Sequence, residues 1–189
     1  RNPPPTAAGI GKSGANMVFV DDASAIFYNP ANLAFQTNAS IVVDVTLARS
    51  EQVFLSQTTG QKAESDGNWQ PLPNLFFSLP LNDHGEAIGL GISTPYGQGI
   101  EYEKEDLVNL GAFGDPVNPE SPALHSAEIA LVNFNPTVTF GLLDNFSLAF
   151  GLDIFYSTLQ FEQFYPWGRL GLPPAIYNDG NGDAKVEAN

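Results

Sequence analysis

From residue 39 onward the chain alternates bulky apolar side chains with small or polar ones, and a period of two is the mark of strands whose faces meet different surroundings. Ile41, Val43, Val45 and Leu47 alternate with Ser40, Val42, Asp44 and Thr46. Trp69, Leu75, Phe77 and Leu79 share one parity with Pro71 and Pro73, against Asn74 and Ser78. Ile88, Leu90 and Ile92 then stand against Ala87, Gly89, Gly91 and Ser93, and Val132, Phe134, Val138 and Phe140 against Asn133, Asn135, Thr137, Thr139 and Gly141. The run from Phe146 to Tyr156 is the cleanest, with Ser147, Ala149, Gly151 and Asp153 between its bulky positions. Five strands are expected, with a sixth suggested by the closing residues 184–189.

The small face decides between two all-β readings. A soluble sandwich usually carries Lys, Glu and Arg on its outward positions, whereas here that face is Gly, Ser, Ala, Thr and Asn. Charged residues are only 15% of the chain, against roughly 25% in soluble domains. Short turns at 82–85 and 144–145 alternate with long connections at about 50–68, 96–124 and 161–182, and short turns at one end with long loops at the other describe a transmembrane antiparallel β-barrel. Trp69, Tyr96, Tyr102, Tyr156, Tyr165 and Trp167 would then form aromatic girdles. A soluble or surface-exposed β-sandwich, acting in binding or adhesion, remains the alternative. Five or six strands cannot close a barrel, which needs about eight, so the chain reads as the first part of a longer one.

Net charge is −14, with seven Lys and Arg among 21 acids, which leaves no basic face for a nucleic acid or an anionic lipid. The absence of cysteine rules out disulfides and thiolate metal sites. No apolar run reaches the 18 or so residues of a membrane-spanning helix, and the opening RNPPPTAAG has no apolar stretch of the signal-peptide kind.

Ahead of the strands lies a segment of another character. Asp21 or Asp22 is placed to cap a short helix, and Asn29-Pro30 restarts the chain, Asn being a preferred N-cap and Pro a preferred first helical residue. Two short helical turns with a rigid corner between them are expected, after a stretch in which Gly9, Gly11 and Gly14 permit close packing. Residues 1–38 would form a plug inside a barrel or, equally well, a cap packed on a sheet. Residues 39–189 would form the wall.

The segment GIGKSGANMVFVDDASAIFYNPANLA, together with GLGISTPYGQGIEYE (89–103) and FSLAFGLDIFYSTLQFE (146–162), resembles the FadL family of Gram-negative outer-membrane transporters for long-chain fatty acids and hydrophobic compounds, including its TodX-like hydrocarbon branch. The resemblance covers essentially the whole chain. It implies a fourteen-stranded barrel, monomeric when complete, plugged by an N-terminal hatch. It also implies a gating role for Asn29, Pro30 and Ala31, and a lateral exit near a kink of the third strand, at Gly89, Gly91, Pro95 and Tyr96. The implied activity is passive uptake of fatty acids or other hydrophobic compounds in the cell outer membrane, with membrane lipid and lipopolysaccharide as surroundings and neither enzymatic step nor cofactor.

Such ligands would need a greasy groove, for which the apolar loop residues Leu107, Val108, Leu110, Phe113, Phe164, Trp167 and Leu170 are candidates, joined by Tyr165, Leu172 and Ile176. Packing of the loops on themselves explains any single one of these equally simply. Arg169 is the one cation placed to meet a carboxylate head, so a neutral hydrophobe fits the acidic loops better. His84 and His125 lack partners for zinc or a catalytic triad, and Ser24 lacks a nucleophile-elbow setting. Asp179, Asn181 and Asp183 imitate a calcium loop, but Ala184 stands where the loop requires glycine, and a turn before the sixth strand is the simpler reading.

Overall fold

The computed structural model describes residues 4–15, 17–55, 60, 62–102, 123–165 and 182–188. Among the described residues three short helical pieces, Ala7–Gly11 (α1), Ala25–Tyr28 (α2) and a 3-10 helix Pro30–Phe35, precede nine strands. The strands are Ser40–Arg49 (β1), Val53–Leu55 (β2), Lys62–Glu64 (β3), Trp69–Pro80 (β4), Ala87–Glu101 (β5), Ala123–Leu143 (β6), Phe146–Gly151 (β7), Ile154–Tyr165 (β8) and Gly182–Ala188 (β9). The main sheet has the order β1-β4-β5-β6-β8-β9, with β7 also paired to β6, while β2 and β3 form a separate ribbon. Among the described residues no helix is long and apolar enough to cross a membrane.

Two compact units divide the chain. The first holds Arg1–Ala48, Pro71–Gly97 and Leu131–Ser157, and the second Arg49–Gln70, Gln98–Ala130 and Thr158–Asn189.

In the first unit the sheet carries its apolar bulk on the outside. Ile41, Val43, Val45 and Leu47 of β1 are each more than half exposed, and Leu75, Phe77, Leu79, Ile88 and Leu90 of β4 and β5 are also exposed. Asn74, Ser78, Ser93, Asn133, Thr137 and Thr139 are buried. This inversion of the soluble pattern is what a strand wall facing hydrocarbon requires. The alternation is thus correctly read from the sequence, with two corrections. Phe76 lies on the small face of β4 and is only 1% exposed, and the expected continuous strand through Phe146–Tyr156 is interrupted at Leu152-Asp153. The strands are also longer than the periodic stretches: β5 runs on to Glu101, and β6 begins at Ala123.

The core of this unit is where the N-terminal segment meets the small face. Val20, Ala23, Ala25, Ile26 and Leu33 form a buried cluster with Phe76 and Ala87. The glycines of β5 make the space: a Cβ on Gly89 would come within 2.7 Å of Ile26 Cδ1 and 3.2 Å of Leu33 Cδ1, and one on Gly91 within 3.1 Å of Ile26 Cγ2. At the short-turn end, Asn82 Oδ1 accepts from the His84 and Glu86 amides at 2.9 and 3.2 Å. Gly85 there takes a φ of +81°, a conformation glycine adopts without steric cost, and a Cβ on it would meet Ala34 O at 3.1 Å.

In the second unit β2 pairs with β3 from Val53–Glu64 to Leu55–Lys62, in a stretch expected to be a plain loop. Arg49 Nε donates to Gly67 O at 2.9 Å, its guanidinium pairs with Glu51 at 2.7 Å, and its Cζ lies 5.9 Å from the centre of the Trp69 ring. Lys62 donates to Glu64 at 2.5 Å, which raises the ammonium pKa and lowers that of the carboxylate; water screens so exposed a pair. β8 and β9 pair from Leu159–Ala188 to Tyr165–Gly182.

Gly89→Val would force a branched side chain into the space of Ile26, an overpacking that costs roughly 1–3 kcal/mol. In the full-length protein we expect faster limited proteolysis within residues 1–38, with protection restored when Ile26→Ala is added. Equal cleavage of Gly89→Val and wild type would show that this contact does not hold the segment in place.

Candidate functional site

The corner Asn29-Pro30-Ala31 sits between α2 and the 3-10 helix. Pro30 occupies the first helical turn, as expected, since its fixed φ suits that position and its missing N–H costs nothing there. Asn29 holds the N-cap position, as expected, but its side chain makes no cap hydrogen bond. Its Nδ2 donates instead to Met17 O at 3.2 Å, and Asn32 Nδ2 to Val18 O at 3.5 Å, so both amides hold the preceding strand-like segment against the corner. Asp22 Oδ1 accepts from the Ser24 amide and hydroxyl at 2.8 and 2.5 Å, a tight local turn ahead of α2.

The small face of the wall supplies partners to this corner. Thr139 Oγ1 donates to Pro30 O at 3.1 Å and Ser147 Oγ to Ala31 O at 2.8 Å. Ser78 Oγ donates to Gln36 Oε1 at 2.6 Å. The Ala23 amide donates to Ser40 Oγ at 3.1 Å, and the Ala7 amide to Asp44 Oδ2 at 2.9 Å. A carbonyl oxygen can accept more than one hydrogen bond, and wall hydroxyls donate to the two carbonyls at the start of the 3-10 helix. The Thr and Ser residues of the alternation therefore have a specific task, which is to seat the corner.

Two cavities adjoin it. One, of about 440 Å³, has Ile26, Phe27 and Pro30 on one side and Phe76, Tyr96 and Phe155 on others, with Asn133, Asn135, Thr137 and Asp153 at a polar end. The second, of about 690 Å³, lies among Pro4, Met17, Phe27, Tyr28, Thr94 and Tyr96. Phe27, Pro95 and Tyr96 border both. Volumes of this order suit small organic ligands, as does a lining that is apolar apart from a few placed polar groups.

The regular β4–β5 pairing ends beside these cavities. Residues of β4 and β5 pair from Pro80–Ala87 to Leu75–Ile92. Beyond that point Pro71 and Pro73 have no N–H to offer, and side chains take over: Asn74 Oδ1 accepts from the Thr94 amide at 3.1 Å, and Thr94 Oγ1 donates to Pro73 O at 3.0 Å. Pro95 and Tyr96, which border both cavities, thus lie just past the point where the regular pairing of β5 with β4 has ended.

Of the residues singled out in the sequence, the structure brings together Asn29, Pro30, Ala31, Gly89, Gly91, Pro95 and Tyr96 in this one region. Gly89 and Gly91 serve the packing of Ile26 and Leu33, while Pro95 and Tyr96 stand at the discontinuity. Leu107, Val108, Leu110, Phe113, Trp167, Leu170, Leu172, Ile176 and Arg169 lie outside the described residues, and Phe164 stands opposite Asp183 in the β8–β9 ladder. Sequence reasoning missed Phe27, Phe76 and Phe155. Phe76 and Phe155 had a signal, being bulky residues on the parity otherwise given to small ones. Among the described residues no group of His, Cys, Asp and Glu is placed to hold a metal.

A strand wall with apolar bulk outside, a compact segment seated on its small face and apolar cavities beside a gap in strand pairing define part of a plugged transmembrane β-barrel. The chain belongs to the outer membrane protein transport protein family (OMPP1/FadL/TodX), whose model matches residues 4–185, and its place is the Gram-negative outer membrane. It is similar to NMB0088 of Neisseria meningitidis serogroup B, whose name refers it to the outer membrane, with 27% identity over 96 residues, 46% of this chain and 20% of that protein. Its fold is similar to the crystal structure of a Pseudomonas aeruginosa FadL homologue, with a TM-score of 0.63 at 21% identity over 97% of this chain and 45% of that one. The chain thus spans less than half the length of these relatives.

Replacing Thr139 by Val and Ser147 by Ala removes both donors to the corner, each hydrogen bond contributing about 1 kcal/mol. We expect amide exchange at residues 31–36 of the full-length protein to rise about tenfold or more, with the wall strands unchanged. Unaltered exchange would mean that apolar packing alone seats the corner.

Proposed function

We propose that the full-length protein takes up hydrophobic molecules, fatty acids or hydrocarbons among them, by passive diffusion. The ligand enters apolar cavities beside the N-terminal hatch and leaves sideways into the membrane. The observation that carries this reading is the coincidence of two largely apolar cavities, both bordered by Pro95 and Tyr96, with the end of regular β4–β5 pairing at Leu75–Ile92. Binding needs no chemistry: each buried CH₂ contributes about 0.8 kcal/mol, so a long apolar ligand moves from a polar outer surface to the hydrocarbon through sites of graded affinity. No catalytic step and no cofactor belong to this reading. In it the corner Asn29-Pro30-Ala31 sets which side of the hatch is passable, and lipopolysaccharide and outer-membrane lipid surround a monomeric barrel.

Cells lacking their own copy and expressing the full-length protein should accumulate a labelled alkane or fatty acid faster than cells with an empty vector. Asn29→Ala and Pro30→Ala should lower that rate several-fold, while the detergent-extracted barrel still shows a heat-dependent shift in gel mobility. Normal uptake by both variants would remove the gating role, and no uptake by the wild type of any hydrophobe tried would remove the transport reading.

A further inference from the structure

The smaller cavity ends in a polar group of residues that hydrophobe binding alone does not use. Asn133 Nδ2 and Asn135 Nδ2 both donate to Asp153 Oδ1, at 2.7 and 2.6 Å, and Thr137 Oγ1 donates to Asn135 Oδ1 at 2.5 Å. The group is built into the backbone. β7 ends at Gly151 and β8 begins at Ile154. The strand opens opposite Pro136, which cannot donate to the ladder and whose carbonyl accepts from the Leu152 amide at 3.1 Å. Gly151 leaves the room: a Cβ there would come within 2.9 Å of Thr137 Oγ1 and 3.0 Å of Asn135 Oδ1.

Each amide spends one of its two N–H groups on the carboxylate, so Asp153 is held in place by both asparagines. Asn133 is only 8% exposed, lines the cavity, and its Oδ1 is buried without a hydrogen-bond partner. With almost no accessible surface that oxygen is out of reach of a ligand in the cavity, so Asp153 is the acceptor of this group that a ligand can meet. Asp153 is exposed and lines the same cavity; as an ionised carboxylate it accepts and does not donate. None of the described residues around the cavity is basic, so nothing there compensates an anionic head.

We propose that Asn133, Asn135, Thr137 and Asp153 form a head-group subsite for hydrophobic molecules that carry a hydrogen-bond donor, a hydroxyl in the first place, and that the subsite discriminates against carboxylates. The tail lies among Phe27, Phe76, Tyr96 and Phe155, and the hydroxyl donates to the exposed Asp153 carboxylate, which Asn133 and Asn135 hold in place. An ionised carboxylate accepts from a hydroxyl and repels a second carboxylate at the same place. The inference rests on the hydrophobe-uptake reading and adds a preference within it.

The test uses full-length protein in lipid nanodiscs, with empty discs subtracted, and equilibrium binding of 4-butylphenol, butylbenzene and 4-butylbenzoate at pH 8. We expect the phenol to bind about tenfold tighter than butylbenzene and the benzoate to bind weakest. Asp153→Leu should abolish the advantage of the phenol and leave butylbenzene binding in place. Asp153→Asn, which keeps the shape and removes the charge, should raise the affinity for the benzoate, and it serves where Asp153→Leu fails to assemble. Equal binding of all three ligands, or tightest binding of the benzoate, would overturn the subsite and leave the hydrophobe reading standing. If neither butylbenzene nor the phenol binds, both fall.

Discussion

A strand wall in hydrocarbon has no water to satisfy its backbone, so every amide and carbonyl must be paired within the protein. That requirement makes any gap in the wall a constructed feature. Where Pro71 and Pro73 remove donors from β4, the chain places Asn74 and Thr94 opposite each other, and their side chains replace ladder bonds across the same two strands. Where Pro136 removes a donor from β6, the facing strand breaks at Leu152-Asp153 and two asparagines gather on Asp153. In both places proline creates the irregularity and a polar side chain absorbs it. The cavities lie beside these two irregularities.

The same economy governs the hatch. Hydroxyls from β6 and β7 donate to the carbonyls of Pro30 and Ala31 at the start of its 3-10 helix. The small face of the sheet is therefore a surface of specific donors and of glycine-sized recesses, and it is shaped to one occupant. Ile26 and Leu33 fit over Gly89 and Gly91 because no side chain stands there. Asn29 and Asn32 then tie the preceding segment to Met17 and Val18.

Much of this was legible in the sequence for a physical reason. A wall between lipid and a packed interior imposes period two without exception on its outer face, and Ile41 to Leu47 display it with no structure in hand. The Asn29-Pro30 corner was equally plain, because proline has few places to stand. The partner of the Asn29 side chain was not: capping is a local rule, and Met17 O is reached only once the chain has folded back. Phe76 and Phe155 were passed over because a pattern read by its majority hides its exceptions, although a large residue on a small face marks where the interior is not filled by the wall itself. The break at Leu152-Asp153 escaped because its cause, Pro136, lies on the neighbouring strand.

The magnitudes bear on how a ligand could pass. Burying Ile26 and Leu33 contributes about 1.5–3 kcal/mol each, and each neutral hydrogen bond to the wall about 1 kcal/mol. Those contacts are spread over β1, β4, β5, β6 and β7, so expelling the hatch as a body would break all of them together. The side toward the cavities is different in kind. Phe27 is exposed and borders both cavities, and nearby Met17, Val18 and Phe19 are exposed as well. Rotating one aromatic side chain there disturbs far less than unseating Ile26 and Leu33. On the uptake reading proposed above, a route around the corner, past Phe27 and Tyr96, is therefore the lower-cost path, with the plug staying in place.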